Sequence, residues 1–222
     1  MPKELAAEDD LRGLARRFAD AERRVRSLLQ EAPTGNRRVL LAEALSVLLA
    51  LRWDAIEAGV HVERAYHVAA VAINRLTGQP IPAAEKAHRL GLALSWRLDA
   101  AVAQAEEGAR RAFAQVQADT TAEQGAAAVT VGTDRAGRAR YLGAEADMLT
   151  RTLGRRAVSM VPRDMGIELV DISGGTCPIC EPFQGEHPAT LEPPFHASCG
   201  CVATPIGFSY GEYQDAMAAV AS

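Results

Sequence analysis

The stretch Asp171-Ile-Ser-Gly-Gly-Thr-Cys-Pro-Ile-Cys-Glu-Pro-Phe-Gln-Gly185, resumed at Pro193-Pro-Phe-His-Ala-Ser-Cys-Gly-Cys-Val-Ala-Thr-Pro205, decides how the C-terminal part of this chain folds. It contains all four cysteines, Cys177, Cys180, Cys199 and Cys201, with His196 three residues before Cys199. A Cys-x-x-Cys pair, a loop, then His-x-x-Cys-x-Cys is the ligand spacing of a structural zinc site. Cysteines two residues apart can aim both thiolates at one ion from a tight turn, and Gly174, Gly175 and Pro178 supply the turn chemistry. Pro193, Pro194 and Gly200 bend the chain at the second set. Five nitrogen and sulfur donors thus face an ion that takes four. Cys177, Cys180 and His196 are three of them, and the fourth is Cys199 or Cys201.

Disulfides are the first competing reading. They need an oxidising compartment, and no signal peptide is read in the sequence, so synthesis in a reducing cytoplasm is expected. Inert buried thiols are the second, but unrelated cysteines have no reason to gather beside a histidine. The expected cofactor is therefore Zn2+ in a structural role. A catalytic zinc keeps one position open for water, whereas this cluster offers one donor too many.

Outward from the cluster, the 222 residues allow one large domain, or one domain with a small module. A hydrophobic fraction of 48% with only 5% aromatics favours packed helices over a sheet-rich core. The net charge of −4 gives no global attraction to nucleic acid or membrane, so such contacts would have to be local. Apolar runs such as Val47–Leu51 are far too short to span a bilayer.

The fold expected is mainly α, a long-helix bundle body over 1–128, followed by a small α+β zinc-knuckle module over 129–222. The first helix, Ala6 to about Gln30, carries a seam at Leu11, Leu14, Phe18, Ala21, Val25 and Leu28 with alternating spacings of three and four. That seam pairs with a helix of the same bundle or with a second copy of the chain. Asp9 and Asp10 favour its N-terminal end. A second helix, Arg38 to about Leu76 with a possible break near Gly59, has apolar residues Leu41, Leu45, Leu48, Leu49, Trp53 and Ile56 on more than one stripe. It is therefore expected to be central. Thr77-Gly-Gln-Pro-Ile-Pro82 is a turn, and a third helix follows from Ala83 to about Ala118 with an alanine-rich seam. Residues 119–137 read as a loop, with a short strand at Val129–Val131. A helix over about 137–159, a strand over Gly166–Ser173, a short extended piece at Val202–Ile206 and a terminal helix from Tyr210 complete the reading.

The segment 135–163 carries seven arginines, Arg135, Arg138, Arg140, Arg151, Arg155, Arg156 and Arg163, against only Glu145 and Asp147. Either this is a solvated face laced with salt bridges, or Arg138, Arg140, Arg155 and Arg156 contact a phosphate backbone or an acidic partner.

From about Arg138 onward the chain resembles the Mu F-like minor head proteins of tailed bacteriophages, the phage head-morphogenesis family. The similar features are a helix, a strand ending near Asp171, Cys177-Pro178-Ile179-Cys180, Gly185, and Pro193-Pro194-Phe195-His196 leading into Cys199-Gly200-Cys201. The family usually ends His-Pro-x-Cys-Arg-Cys. Here Ala197 and Gly200 stand in place of that proline and arginine, and the Cys/His skeleton is kept. The resemblance covers roughly the last third of the chain. It implies a virion protein, made in the bacterial host cytoplasm and present in few copies near the portal, with portal, capsid or scaffold proteins as partners.

The alternative class is a zinc-stabilised nucleic-acid-binding module using the arginine segment on a DNA backbone. An enzyme is not expected. His61-Val62-Glu63 upstream of Cys-x-x-Cys superficially fits a zinc deaminase, but more than a hundred residues separate the halves and Thr176 stands where that signature has proline. No Ser-His-Asp pattern, phosphate loop or dinucleotide fingerprint is present.

Overall fold

A computed structural model describes residues 9–119, 142–174, 177–196 and 199–221. Helices α1 (Asp9–Glu31), α2 (Arg37–Thr77), α3 (Glu85–Asp119) and α4 (Leu142–Asp164) precede the strands β1 (Leu169–Ser173), β2 (Gly185–Pro188) and β3 (Val202–Pro205), and helix α5 (Tyr210–Ala221) ends the described chain. The protein is thus mainly helical with a small antiparallel sheet and the Cys/His cluster at its C-terminal end, as the patterning requires. Among the described residues no helix is long and apolar enough to cross a membrane.

The chain divides into two compact units. One comprises 14–57 and 95–147. Its buried residues include Leu14, Phe18, Val25 and Leu28 of α1, Leu48 and Leu51 of α2, and Leu98, Val102 and Phe113 of α3. Arg17 pairs with Asp54 at 2.9 Å and Arg52 with Glu106 at 3.2 Å, while Arg24 pairs with Glu43. Helix α4 starts hard against α1. A Cβ on Gly143 would lie 2.7 Å from the Ala19 Cα, and the Gly143 N–H donates to Glu22 Oε2 at 3.0 Å, satisfying one of the orphan amides of the helix N-terminus.

The other unit comprises 1–13, 58–94 and 148–222. Here α2 and α3 approach at two glycines: a Cβ on Gly91 would lie 2.6 Å from the Gly59 carbonyl oxygen. Gly59 therefore does not break α2, which runs unbroken for 41 residues. The close approach rests on Gly91, whose missing Cβ leaves room for the Gly59 backbone. The carboxylate of Asp164, nearly buried at the end of α4, receives Lys86 of α3 and, at 3.2 Å, the Tyr66 hydroxyl of α2. Arg75 of α2 donates to the Ala219 carbonyl of α5 at 3.3 Å.

In the sheet, β1 is central and antiparallel to both neighbours, in the order β2-β1-β3. Val170 pairs with His187 on one side and with Pro205 on the other. Val170 and Ile172 are buried with period 2 while Leu169 is exposed, so the apolar phase that Ile167 and Leu169 set in the sequence is shifted by one residue at Val170. All four residues of β3 are buried.

The seam of α1 is buried within this chain, the first of the two pairings its spacing allows. One sequence expectation needs correction. Helix α2 has one covered stripe, with Leu48 and Leu51 inside, but Leu49, Trp53 and Ile56 are exposed. Two apolar stripes make α2 look central, and only one of them has a neighbour among the described residues. The expected strand at 129–131, the boundary at 128/129, and Arg135, Arg138 and Arg140 lie outside the described residues.

Candidate metal centre

Strand β1 delivers the chain into the first half of the site. Gly174 adopts φ +92°, a left-handed conformation natural only to glycine, and a Cβ there would lie 2.9 Å from the Gly200 carbonyl oxygen. The two halves of the site touch backbone to backbone at this point. The Cys177–Cys180 turn then closes with the Cys180 N–H donating to the Cys177 carbonyl at 2.9 Å, and a single 3-10 turn, Glu181–Phe183, follows. On the return, Phe195 stacks on Phe183 with centroids 4.3 Å apart, which seats His196 against the first turn. The Cys199 N–H donates to the His196 carbonyl at 3.0 Å, and Cys201 leads directly into β3.

The side chains converge. His196 Nε2 lies 3.0 Å from Cys177 Sγ and 3.1 Å from Cys180 Sγ, and Cys180 Sγ lies 3.6 Å from Cys199 Sγ. Tetrahedral ligation by sulfur at about 2.3 Å separates thiolates by about 3.8 Å. Two overlapping triads result, Cys177–Cys180–His196 and Cys180–Cys199–Cys201, each with its donor atoms within 4.8 Å of one another and sharing Cys180. These five residues can hold a metal ion. All four cysteines are free thiols, and 3.6 Å is well beyond the roughly 2.05 Å of a disulfide bond, so the disulfide reading does not describe this arrangement.

Electrostatics divides the thiols into two kinds. Burial pushes the Cys180 thiol up, and the hydrogen-bonded sulfurs of Cys177, Cys201 and Cys199 push it further. Burial likewise raises Cys201. At Cys177 burial acts upward but is outweighed by the Cys180 thiol and by backbone groups of the turn. At Cys199 burial is outweighed in the same way by backbone groups of Phe195 and Cys201. A cation at the centre would favour the thiolate form of all four.

The surroundings hold these donors in place. Cys180, Cys199 and Cys201 are buried in a cluster with Val170, Ile172, Ala189 and Ala203. Gln184 Nε2 donates to the Cys180 carbonyl at 3.2 Å and lies 3.4 Å from Cys201 Sγ. From α4, Arg155 Nη1 donates to the Cys199 carbonyl at 2.7 Å.

The sequence-derived site residues thus fare differently. Cys177, Cys180, His196, Cys199 and Cys201 come together. Arg155, a candidate phosphate contact by its charge, supports the centre from α4, and Arg163 pairs with Glu192 and Asp164. Arg156 is exposed. His61 lies 3.5 Å from Asp10 and Glu63 2.7 Å from His88, so the His-x-Glu pair is engaged on the helices. Strand β2, Gln184 and the role of Arg155 escape sequence reasoning. Gly185-Glu-His-Pro188 has no alternating apolar residues, and a glutamine or arginine aimed at a cysteine loop leaves no periodic signal.

No protein-family model matches the chain, and neither the curated proteins nor the solved structures contain a match.

Proposed function

We propose that this chain is a non-enzymatic structural protein of a tailed-phage head, a minor head protein acting in head morphogenesis near the portal, whose C-terminal module folds around a structural zinc ion. The observation that carries the reading is the order of parts. A helix and strand β1 lead into Cys177-x-x-Cys180, and Pro193-Pro194-Phe195-His196 returns to Cys199-Gly200-Cys201 at the same point in space. This is the order of features by which the C-terminal third resembles the Mu F-like head proteins.

Thiolate and imidazole donors in tetrahedral reach select zinc over the oxygen-loving divalent ions. Cys177, Cys180 and His196 supply three ligands and one of Cys199 and Cys201 the fourth, so the coordination shell is filled by the protein. A filled shell supports a structural role. Zinc would contribute binding energy that holds two loops together. The chain's residues supply the turn geometry, the stacked Phe183–Phe195 pair and the Arg155 anchor.

The test is recovery of the tagged full chain from a phage-producing host at about 50 mM and about 500 mM salt, with identification of what accompanies it. A portal or capsid protein that stays bound at high salt, together with the chain's presence in purified heads, is the expected result. Recovery of nucleic acid alone, lost as salt rises, would transfer the assignment to a backbone-binding zinc module. Absence from purified heads would end the head-protein reading.

A further inference from the structure

Both tryptophans of the chain, Trp53 on α2 and Trp96 on α3, are exposed, at 73% and 74% of their surface. They belong to the unit formed by 14–57 and 95–147, where the Ser95 hydroxyl donates to the Ile56 carbonyl at 3.5 Å and brings Trp96 beside Ile56. At about 100° per residue, Ala42, Ser46, Leu49, Ala50, Trp53 and Ile56 fall within one arc of α2 of about 120°. All six are exposed and uncharged, and the charged residues of the same arc, Arg38 and Glu57, stand at its two ends. The charges bordering the arc are turned to the protein's own helices: Glu43 to Arg24, Asp54 to Arg17 and Arg52 to Glu106. A surface helix normally presents charge to water along this side.

We infer that this outward face of α2, with Trp96, is the contact surface of a two-fold homodimer. Three observations select a second copy of this chain as the occupant. The first is the spacing about Ser46. Ala42 and Ala50 lie four residues to either side of it, and Val39 and Trp53 seven. An antiparallel two-fold contact centred on Ser46 therefore sets small residue against small residue in the middle and Trp53 against the partner copy's valine at each end. Such self-complementarity is what an isologous interface requires.

The second is area. Two tryptophans about three-quarters exposed, with Val39, Leu49 and Ile56 each more than half exposed, present roughly 500–600 Å2 of apolar surface. A standard interface takes about 800 Å2 from each partner, about 65% of it apolar between identical subunits, or about 520 Å2. The third is charge. The chain carries −4 overall, yet the two charged residues within this arc, Arg38 and Glu57, are of opposite sign and cancel, so two copies meet here without net like-charge repulsion.

The tryptophan count makes the test direct, because intrinsic emission reports this face alone. The full chain is studied by sedimentation velocity and tryptophan fluorescence from about 0.5 to about 100 μM. The expected result is a species of twice 23.7 kDa at the upper concentrations, with emission shifting to the blue as it forms. Trp53→Glu, at an exposed site, should leave the far-UV circular dichroism unchanged and weaken association more than about a hundredfold, since a two-fold contact loses the residue twice. Ala50→Arg should do the same from the small-residue centre. A monomer with constant emission across the range overturns the proposal. So does a dimer that survives both substitutions, or emission that shifts only when a different protein is added.

Discussion

The approach of α2 and α3 at Gly59 and Gly91 turns a rule of helix propensity upside down. Replacing glycine by alanine inside a helix stabilises by about 1 kcal/mol when nothing else changes. At Gly91 the added Cβ would lie 2.6 Å from the Gly59 carbonyl oxygen and 3.1 Å from the Gly59 Cα. Ordinary carbon–oxygen contact begins several tenths of an ångström further out, and both partners are backbone, so no side chain can rotate aside. The helices must part along their whole contact, which places the cost at the upper end of overpacking, about 3 kcal/mol. The net expectation for Gly91→Ala is a loss of about 2 kcal/mol, or a Tm lower by about 4–8 °C for a chain of this size. Gly13, on α1, meets nothing within 4 Å, so Gly13→Ala should raise Tm by about 2–4 °C. The assay is paired thermal melts followed by circular dichroism at one pH and one zinc concentration. Propensity alone predicts the same sign for both variants, whereas the structure predicts opposite signs. A Gly91→Ala protein melting at or above the parent would show that α2 and α3 do not touch at this pair.

Two further predictions concern the C-terminal part. The purified protein should carry one equivalent of zinc; on chelation all four cysteines should become reactive toward a thiol reagent, while the far-UV helix signal falls by no more than about a tenth, the share of the 12-residue α5. Thiols equally reactive before and after chelation would refute the centre, and of Cys199→Ser and Cys201→Ser the one that abolishes zinc retention identifies the fourth ligand. At the start of α5, the Ser209 N–H and hydroxyl donate to Glu212 at 2.7 and 2.8 Å, and the Glu212 N–H donates back to the Ser209 hydroxyl oxygen at 3.2 Å, a reciprocal cap. These bonds hold the Glu212 carboxyl below its usual 4.5, so its contribution is complete above that value and is lost as pH falls through the lower folded-state one. Amide exchange in the first turn of α5, corrected for intrinsic rates, should be less protected at about pH 3 than at neutral pH, and Glu212→Gln, which cannot titrate, should remove that difference; protection independent of pH in the parent would refute the cap.

Legibility in the sequence depends on the kind of signal a residue leaves. The seam of α1 and the length of α3 are legible because periodic apolar residues follow from the geometry of the element that carries them, and the turn at 77–82 and the place of β1 from the residues that bound them. The metal centre is legible because its ligands cluster in sequence as well as in space. Strand β2 is not, since a short Gly-Glu-His-Pro segment becomes a strand only by pairing with β1. Arg155 shows only its charge in the sequence, and its hydrogen bond to the Cys199 carbonyl depends on tertiary packing that no local pattern encodes. Gly59 looks like a break in α2, and its use becomes visible only with Gly91 opposite.

Helix α2 marks the limit of periodicity, which reports that a helix face is apolar and says nothing of what covers it. Leu48 and Leu51 are covered by this chain, while Leu49, Trp53 and Ile56 are not covered among the described residues. The metal centre shows the opposite relation. Three of its donors, Cys180, Cys199 and Cys201, are buried against their own sheet, and Arg155 and Arg163 of α4 bond to its loops at the Cys199 carbonyl and at Glu192. The uncovered apolar face, with its small residues centred on Ser46, is where the protein has surface to offer another chain. Placing the metal in the role of a fastener and α2 in the role of a contact accounts for both with the same chain, and each role fails independently: chelation acts on the first, and charge at Trp53 on the second.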